Sequence, residues 1–149
     1  MQEACQRATE FLDDLLKDLG FRLEVTSEIT DAGCQLNMSG DDAHFALAEN
    51  GEILDAFETI LFQAFGRDID KTQRFVCDAE GFRATRKKEL YAMAHFAADQ
   101  VRKNGRAFTF GLLNSTERRI IHTSLKDESD LITESVGDGK ERRLQVRLQ

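Results

Sequence analysis

Glu117-Arg118-Arg119-Ile120-Ile121-His122 holds an Arg and a His with three residues between them. At that spacing Arg118 and His122 stand one turn apart on a single helix face. The neighbouring residues predict the helix. Asn114 can cap it, and Glu117 three residues later completes the spacing of a capping box. Ile120 and Ile121 then belong to its buried side. A guanidinium and an imidazole are presented together beside an apolar anchor. Both hydrogen-bond phosphate, and both have flat faces that stack on a base. Arg and His four apart are common, and charged helix positions ordinarily face water. The rest of the chain has to decide.

Charge is the first discriminator. The net charge of −7 is unevenly spread. Residues 1–78 hold 6 Lys/Arg against 17 Asp/Glu, a balance of −11, while residues 79–149 hold 14 against 10, a balance of +4. A basic half attracts polyanions and an acidic half repels them, so any nucleic-acid site is expected in the second half. The 149 residues allow one domain or two small ones, and a hydrophobic share of 41% is enough for packed cores. No apolar run approaches the ~20 residues of a membrane span. Met1-Gln2-Glu3-Ala4-Cys5 has no basic start leading into an apolar block, so no secretory signal is expected. Cys5, Cys34 and Cys77 are odd in number, far apart and without CxxC or metal spacing. Unpaired thiols in a reduced, cytoplasmic compartment are expected.

The chain carries no P-loop, HExxH or GxSxG, so an enzyme is not expected. His44 and His95 lie in different halves and join no cluster, so neither a metal nor a cofactor is expected.

Taken in order, the apolar stripe Cys5, Ala8, Phe11, Leu12, Leu15, Leu16 and Leu19 predicts a helix over 3–19, ended at Gly20. Phe21, Leu23 and Val25 alternate with polar residues, as do Cys34, Leu36 and Met38 after the Asp31-Ala32-Gly33 turn. This predicts an antiparallel hairpin. A short helix over 42–48 breaks at Glu49-Asn50-Gly51 and restarts with Ile53, Leu54, Phe57, Ile60, Leu61, Ala64 and Phe65 on its stripe. A strand over 73–77 closes an α-β-β-α-α-β half. The second half reads α-β-α-β-β. It has a helix over 80–104 with Leu90, Ala94, Ala97, Ala98 and Val101 inward, a strand over 107–110, the 114–124 helix, a strand over 131–136, a turn at Gly137-Asp138-Gly139 and a last strand through Leu144, Val146 and Leu148. No repeat, low-complexity segment or proline interrupts it.

The first half, residues 1–79, resembles a type II KH domain in layout. The second, residues 80–149, resembles an Arg-x-x-x-His ("R-three-H") domain, through Arg106, Asn114, the 117–122 block, Thr133-Glu134-Ser135 and Arg142-Arg143-Leu144-Gln145-Val146. The tandem is similar to the Jag family, also called KhpB or the SpoIIIJ-associated protein, over nearly the whole chain. The extra N-terminal Jag domain that some members carry is not seen here. The resemblance implies an α+β architecture. It pairs a KH-like αββααβ unit with a small αβαββ unit, whose three-stranded sheet has two helices on one face. It further implies a cytoplasmic bacterial protein that binds single-stranded RNA or DNA, with a small KH protein (KhpA-like) and the YidC/SpoIIIJ membrane insertase as partners.

A KH domain grips the nucleic-acid backbone with a Gly-x-x-Gly turn. The corresponding residues here are Ala48-Glu49-Asn50-Gly51. Ala48 replaces the first glycine, and Glu49 stands where a cation would help. The first half therefore reads as a scaffold or protein-binding module, unless Gly51 merely turns one helix into the next.

In the second half Arg118 and His122 are the first candidates for nucleic-acid contact. Arg119, about 100° round the helix from Arg118, shares the role or points elsewhere. Lys103 and Arg106, with Arg102, either join the site or complement the helix C-terminus. Of Arg142 and Arg143, alternation lets only one face the patch. Arg83, Arg86, Lys87 and Lys88 read as a solvated face or a contact between halves. Phe108 and Phe110 read as core packing rather than base stacking.

Overall fold

A computed structural model describes residues 1–149. The chain divides into two compact units, Met1–Arg83 and Ala84–Gln149.

The first unit runs α1 (Gln2–Asp18), β1 (Glu24–Thr30), β2 (Gly33–Ser39), α2 (Ala43–Ala46), α3 (Ala48–Phe65) and β3 (Arg74–Ala79). Its sheet has the order β1-β2-β3, with β1 antiparallel and β3 parallel to β2. The register sets Cys34 beside Phe75, Leu36 beside Cys77 and Met38 beside Ala79. Because side chains alternate along a strand, these six share one face, and all are buried with Leu12 and Leu16 of α1 and Leu54, Phe57 and Leu61 of α3.

The helical stripes are narrower than the periodicity predicts. Phe11, Leu19 and Ile60 stay exposed, because the sheet covers only the centre of each stripe. β1 starts at Glu24, not at Phe21. The Arg22 backbone N–H, which a ladder would need, donates instead to Asp42 Oδ2 at 2.8 Å. Two further expectations are corrected. Cys5 and Cys34 do not stay unpaired: they form a disulfide that ties α1 to β2. Arg83 is no solvated residue. Its Nε donates to the Cys77 carbonyl at 2.7 Å and its Nη2 to Asp55 and Glu58 at 2.9 and 2.7 Å. Burial pushes the Glu58 carboxyl above its ordinary range against these contacts, and pushes the Cys77 thiol up to about 12.

The second unit runs α4 (Phe82–Asn104, beginning in the first unit), β4 (Phe108–Thr109), α5 (Ser115–Leu125), β5 (Leu131–Val136) and β6 (Arg143–Leu148). The strand order is β4-β6-β5, antiparallel throughout. Leu144 and Val146 of β6 share one core with Leu90, Ala94, Ala97, Ala98 and Val101 of α4 and Ile121 and Leu125 of α5, so both helices cover the same face. Arg143, Gln145 and Arg147 alternate with them onto the open face. The architecture is α+β with two small three-stranded sheets.

Candidate nucleic-acid interface

The α5 helix is set by its cap. The Asn114 side chain accepts from the Glu117 N–H at 2.8 Å, and Glu117 Oε2 accepts from the Asn114 N–H at 3.0 Å, a complete capping box. Glu117 is itself buried, and its Oε1 accepts from Arg86 Nε at 2.7 Å. Arg86 therefore does not face water: Glu117 and Glu89 hold it, and they raise its pKa against the burial that opposes its charge.

With α5 fixed in this way, Ile121 points inward and Arg118 and His122 flank it. Arg118 is half-buried. Its Nη1 donates to the Leu113 carbonyl at 2.6 Å, and no acid pairs with it, which leaves its other N–H groups open. His122 is exposed, with Nδ1 hydrogen-bonded to Thr133 Oγ1. Thr133 opposes Val146 in the ladder and so lies on the helix-covered face of β5. When the hydroxyl donates to Nδ1, the neutral ring carries its proton on Nε2, directed outward as a donor. An always-charged fork and a ring N–H thus stand one turn apart, a pair suited to phosphate oxygens or a base edge.

The remaining candidates fall in separate places. Arg119 is exposed and makes no ion pair. Lys103 ends α4 and Arg106 leads into β4; both are exposed without acid partners. They therefore lie toward the β4 edge of the sheet, whereas His122 docks on β5, with β6 between. Arg102 is not available. Asp130 and Glu128 take its Nε and Nη2 at 2.7 Å, and these contacts push its pKa up and that of Asp130 down. Arg142 is exposed just before β6. Arg143 faces the open side of the sheet, away from Arg118 and His122, and its Nη1 donates to the Lys140 and Arg142 carbonyls at 3.2 and 3.4 Å. Thr133 was legible as part of a motif, but its bond to His122 was not.

In the first unit Ala48, Glu49 and Asn50 are exposed at the predicted break. Glu49, Asn50 and Gly51 are all left-handed, at φ 50°, 57° and 82°. Gly51 is required there, since a Cβ would lie 2.7 Å from the Phe82 ring. No cation stands in the loop, and Glu52 adds another acid. No helix of the chain is long and apolar enough to cross a membrane.

An αβαββ unit with Arg and His paired on a capped helix defines an R-three-H domain, and residues 88–148 match that family. Over nearly its whole length the chain is also similar to two proteins named RNA-binding protein KhpB. One, from Clostridium symbiosum, is 26% identical over 96% of this chain and 65% of its own length. The other, from Bacillus subtilis (strain 168), is 28% identical over 95% of this chain and 69% of its own length. The chain thus spans about two thirds of the length of these relatives.

Proposed function

We propose that this chain is a binding protein for single-stranded RNA, not an enzyme, and that it binds mainly through its second unit. The observation that carries this is the pairing of Arg118 and His122 on one face of α5, free of acid partners. They sit within a unit that holds 13 Lys/Arg against 9 Asp/Glu. The relatives named RNA-binding protein support the same reading. Arg118 supplies phosphate or base-edge contacts and the His122 ring donates or stacks, while Arg119, Lys103 and Arg106 supply attractive field. The binding tolerates many sequences because these groups recognise backbone and ring faces.

Titrating a labelled single-stranded RNA at low salt into wild type, Arg118→Ala and His122→Ala tests the proposal. Each substitution is expected to weaken binding on the order of tenfold, the scale of one charge-assisted contact. Undiminished affinity in both removes these residues from the site.

A second reading applies to the first unit. Its 7 Lys/Arg against 18 Asp/Glu, and the acidic left-handed loop at Glu49, favour a KH-like module that docks proteins rather than RNA. A small KH protein and a membrane insertase are the partners this reading nominates. Ala48→Gly combined with Glu49→Lys tests the loop: if RNA affinity does not rise, the loop is not what limits binding.

A further inference from the structure

Between α4 and β4 the second unit holds an apolar pocket of about 300 Å³. Met93 and Phe96 form one wall, Phe108 and Phe110 the other, and Gly111 leaves its mouth open, since a Cβ there would meet nothing within 4 Å. Phe96 lies about 100° off the buried stripe of α4, next to Ala97, and is 57% exposed. A large aromatic ring turned off its own core is the signal. Phe96 meets Phe108 edge-to-face at 6.0 Å and 83°, and Phe108 meets Phe110 at 5.1 Å and 69°. In such T-shaped contacts one ring offers its edge and keeps its own faces unfilled.

The surrounding charge favours an anionic ligand. Lys103 follows Phe96 by two helical turns on the same face, and Arg106 stands two residues before Phe108. Neither has an acid partner. Two acids lie on the same side of α4. Glu89 is held by Arg86 at 3.0 Å, and Asp99 is unpaired. The volume is at the lower end of small-ligand pockets, roughly 300–1,000 Å³. That suits a single planar ring system and not the successive anchors of a helix.

The geometry points to a nucleobase site: one unstacked base of a single strand inserts at this pocket and stacks on Phe96, with its adjoining phosphates toward Lys103 and Arg106. This rests on the single-strand binding proposed above and adds a second subsite to it. The ladder row Phe108–Val146–Thr133 crosses the helix-covered face of the sheet and ends at the two subsites. The aromatic pocket lies at the β4 edge, and the partner of His122 lies on β5, roughly 10 Å away at two strand spacings.

The test uses the full chain with Phe96→Ala and Phe96→Leu; the second keeps apolar bulk and removes the ring face. Because Phe96 is exposed, both are expected to unfold at the wild-type midpoint. Affinity for a labelled single-stranded RNA is expected to fall on the order of tenfold in both, the scale of one base–aromatic stack. The salt dependence should not change, because no phosphate contact is lost. Titration with adenosine monophosphate, followed by NMR, is expected to shift the Phe96 and Phe108 ring resonances in the wild type alone.

If RNA binds wild type and both variants equally, the pocket is overturned and the Arg118–His122 reading stands. If RNA binds none of them, that reading fails, and the monophosphate titration decides the pocket by itself: ring shifts uphold it, and their absence overturns it. If the substitutions change only self-association, measured by light scattering, the occupant is a second copy of this chain and the proposal is overturned.

Discussion

The buried carboxylate of Glu117 joins the two helices of the second unit: Oε1 accepts from Arg86 Nε, 31 residues earlier, at 2.7 Å, while Oε2 closes the cap of α5 on Asn114. The groups that orient Arg118 and His122 are thus anchored through one side chain. Glu117→Ala leaves a mostly buried guanidinium with only Glu89 and opens the capping box. Removing one partner of a buried pair costs about 3–5 kcal/mol. The remaining Glu89 contact sets the expectation at the low end, about 3 kcal/mol. Denaturant unfolding of the full chain measures it, and a loss below about 1 kcal/mol shows the pair is dispensable.

That contact also marks what a sequence can and cannot disclose. The capping box at Asn114 and Glu117 and the stripe Leu90–Val101 were legible because both are local, fixed by spacings of three and four residues. The span of β5 was legible from turn residues on either side. The Arg86–Glu117 pair and the capture of Arg102 by Glu128 and Asp130 were not. They depend on which helix faces which loop, and a charged residue looks the same in sequence whether water or an acid meets it. The start of β1 was lost for a similar reason, since the Asp42 carboxylate that takes the Arg22 N–H lies 20 residues away.

Cysteine pairing was hidden by the same distance. Cys5 and Cys34 are 29 residues apart and meet because α1 packs over β2, while Cys77 stays free and buried. Alkylation under denaturing conditions without reductant is expected to modify one thiol of the three, and all three after reduction. Reduction should cost about 2–4 kcal/mol of stability, the usual range for a bridge closing such a loop. Three thiols modified before reduction would refute the pairing.

Asp42 gives the first unit an acid-sensitive tie. Its carboxylate accepts from the Arg22 backbone N–H at 2.8 Å and from the Arg22 guanidinium, and these bonds hold its pKa below the ordinary value of 3.8. A depressed carboxyl pKa means that the folded state binds the proton less readily than the unfolded one. Its stabilisation is therefore fully present above the unfolded value and is lost as pH falls through the folded one. Asp42→Asn should lower the unfolding midpoint at pH 6 and close the gap to wild type between about pH 4 and the acid limit. A constant gap down to pH 2.5 would contradict the assignment.

Arg102 and Arg119 separate a committed cation from a free one. The Arg102 fork is occupied by two acids, and Arg119 is exposed with none. Arg102→Gln and Arg119→Gln each remove one positive charge, so both weaken the long-range field on a polyanion by a similar amount. Only a side chain in contact with phosphate also releases a counterion on binding, about 0.7 in the slope of log affinity against log salt for a single strand. Arg119→Gln is expected to lower that slope by this amount and to lose several-fold in affinity at low salt. Arg102→Gln should keep the slope of the wild type. If the two variants give the same slope, Arg119 acts only through the field and is not part of the contact surface.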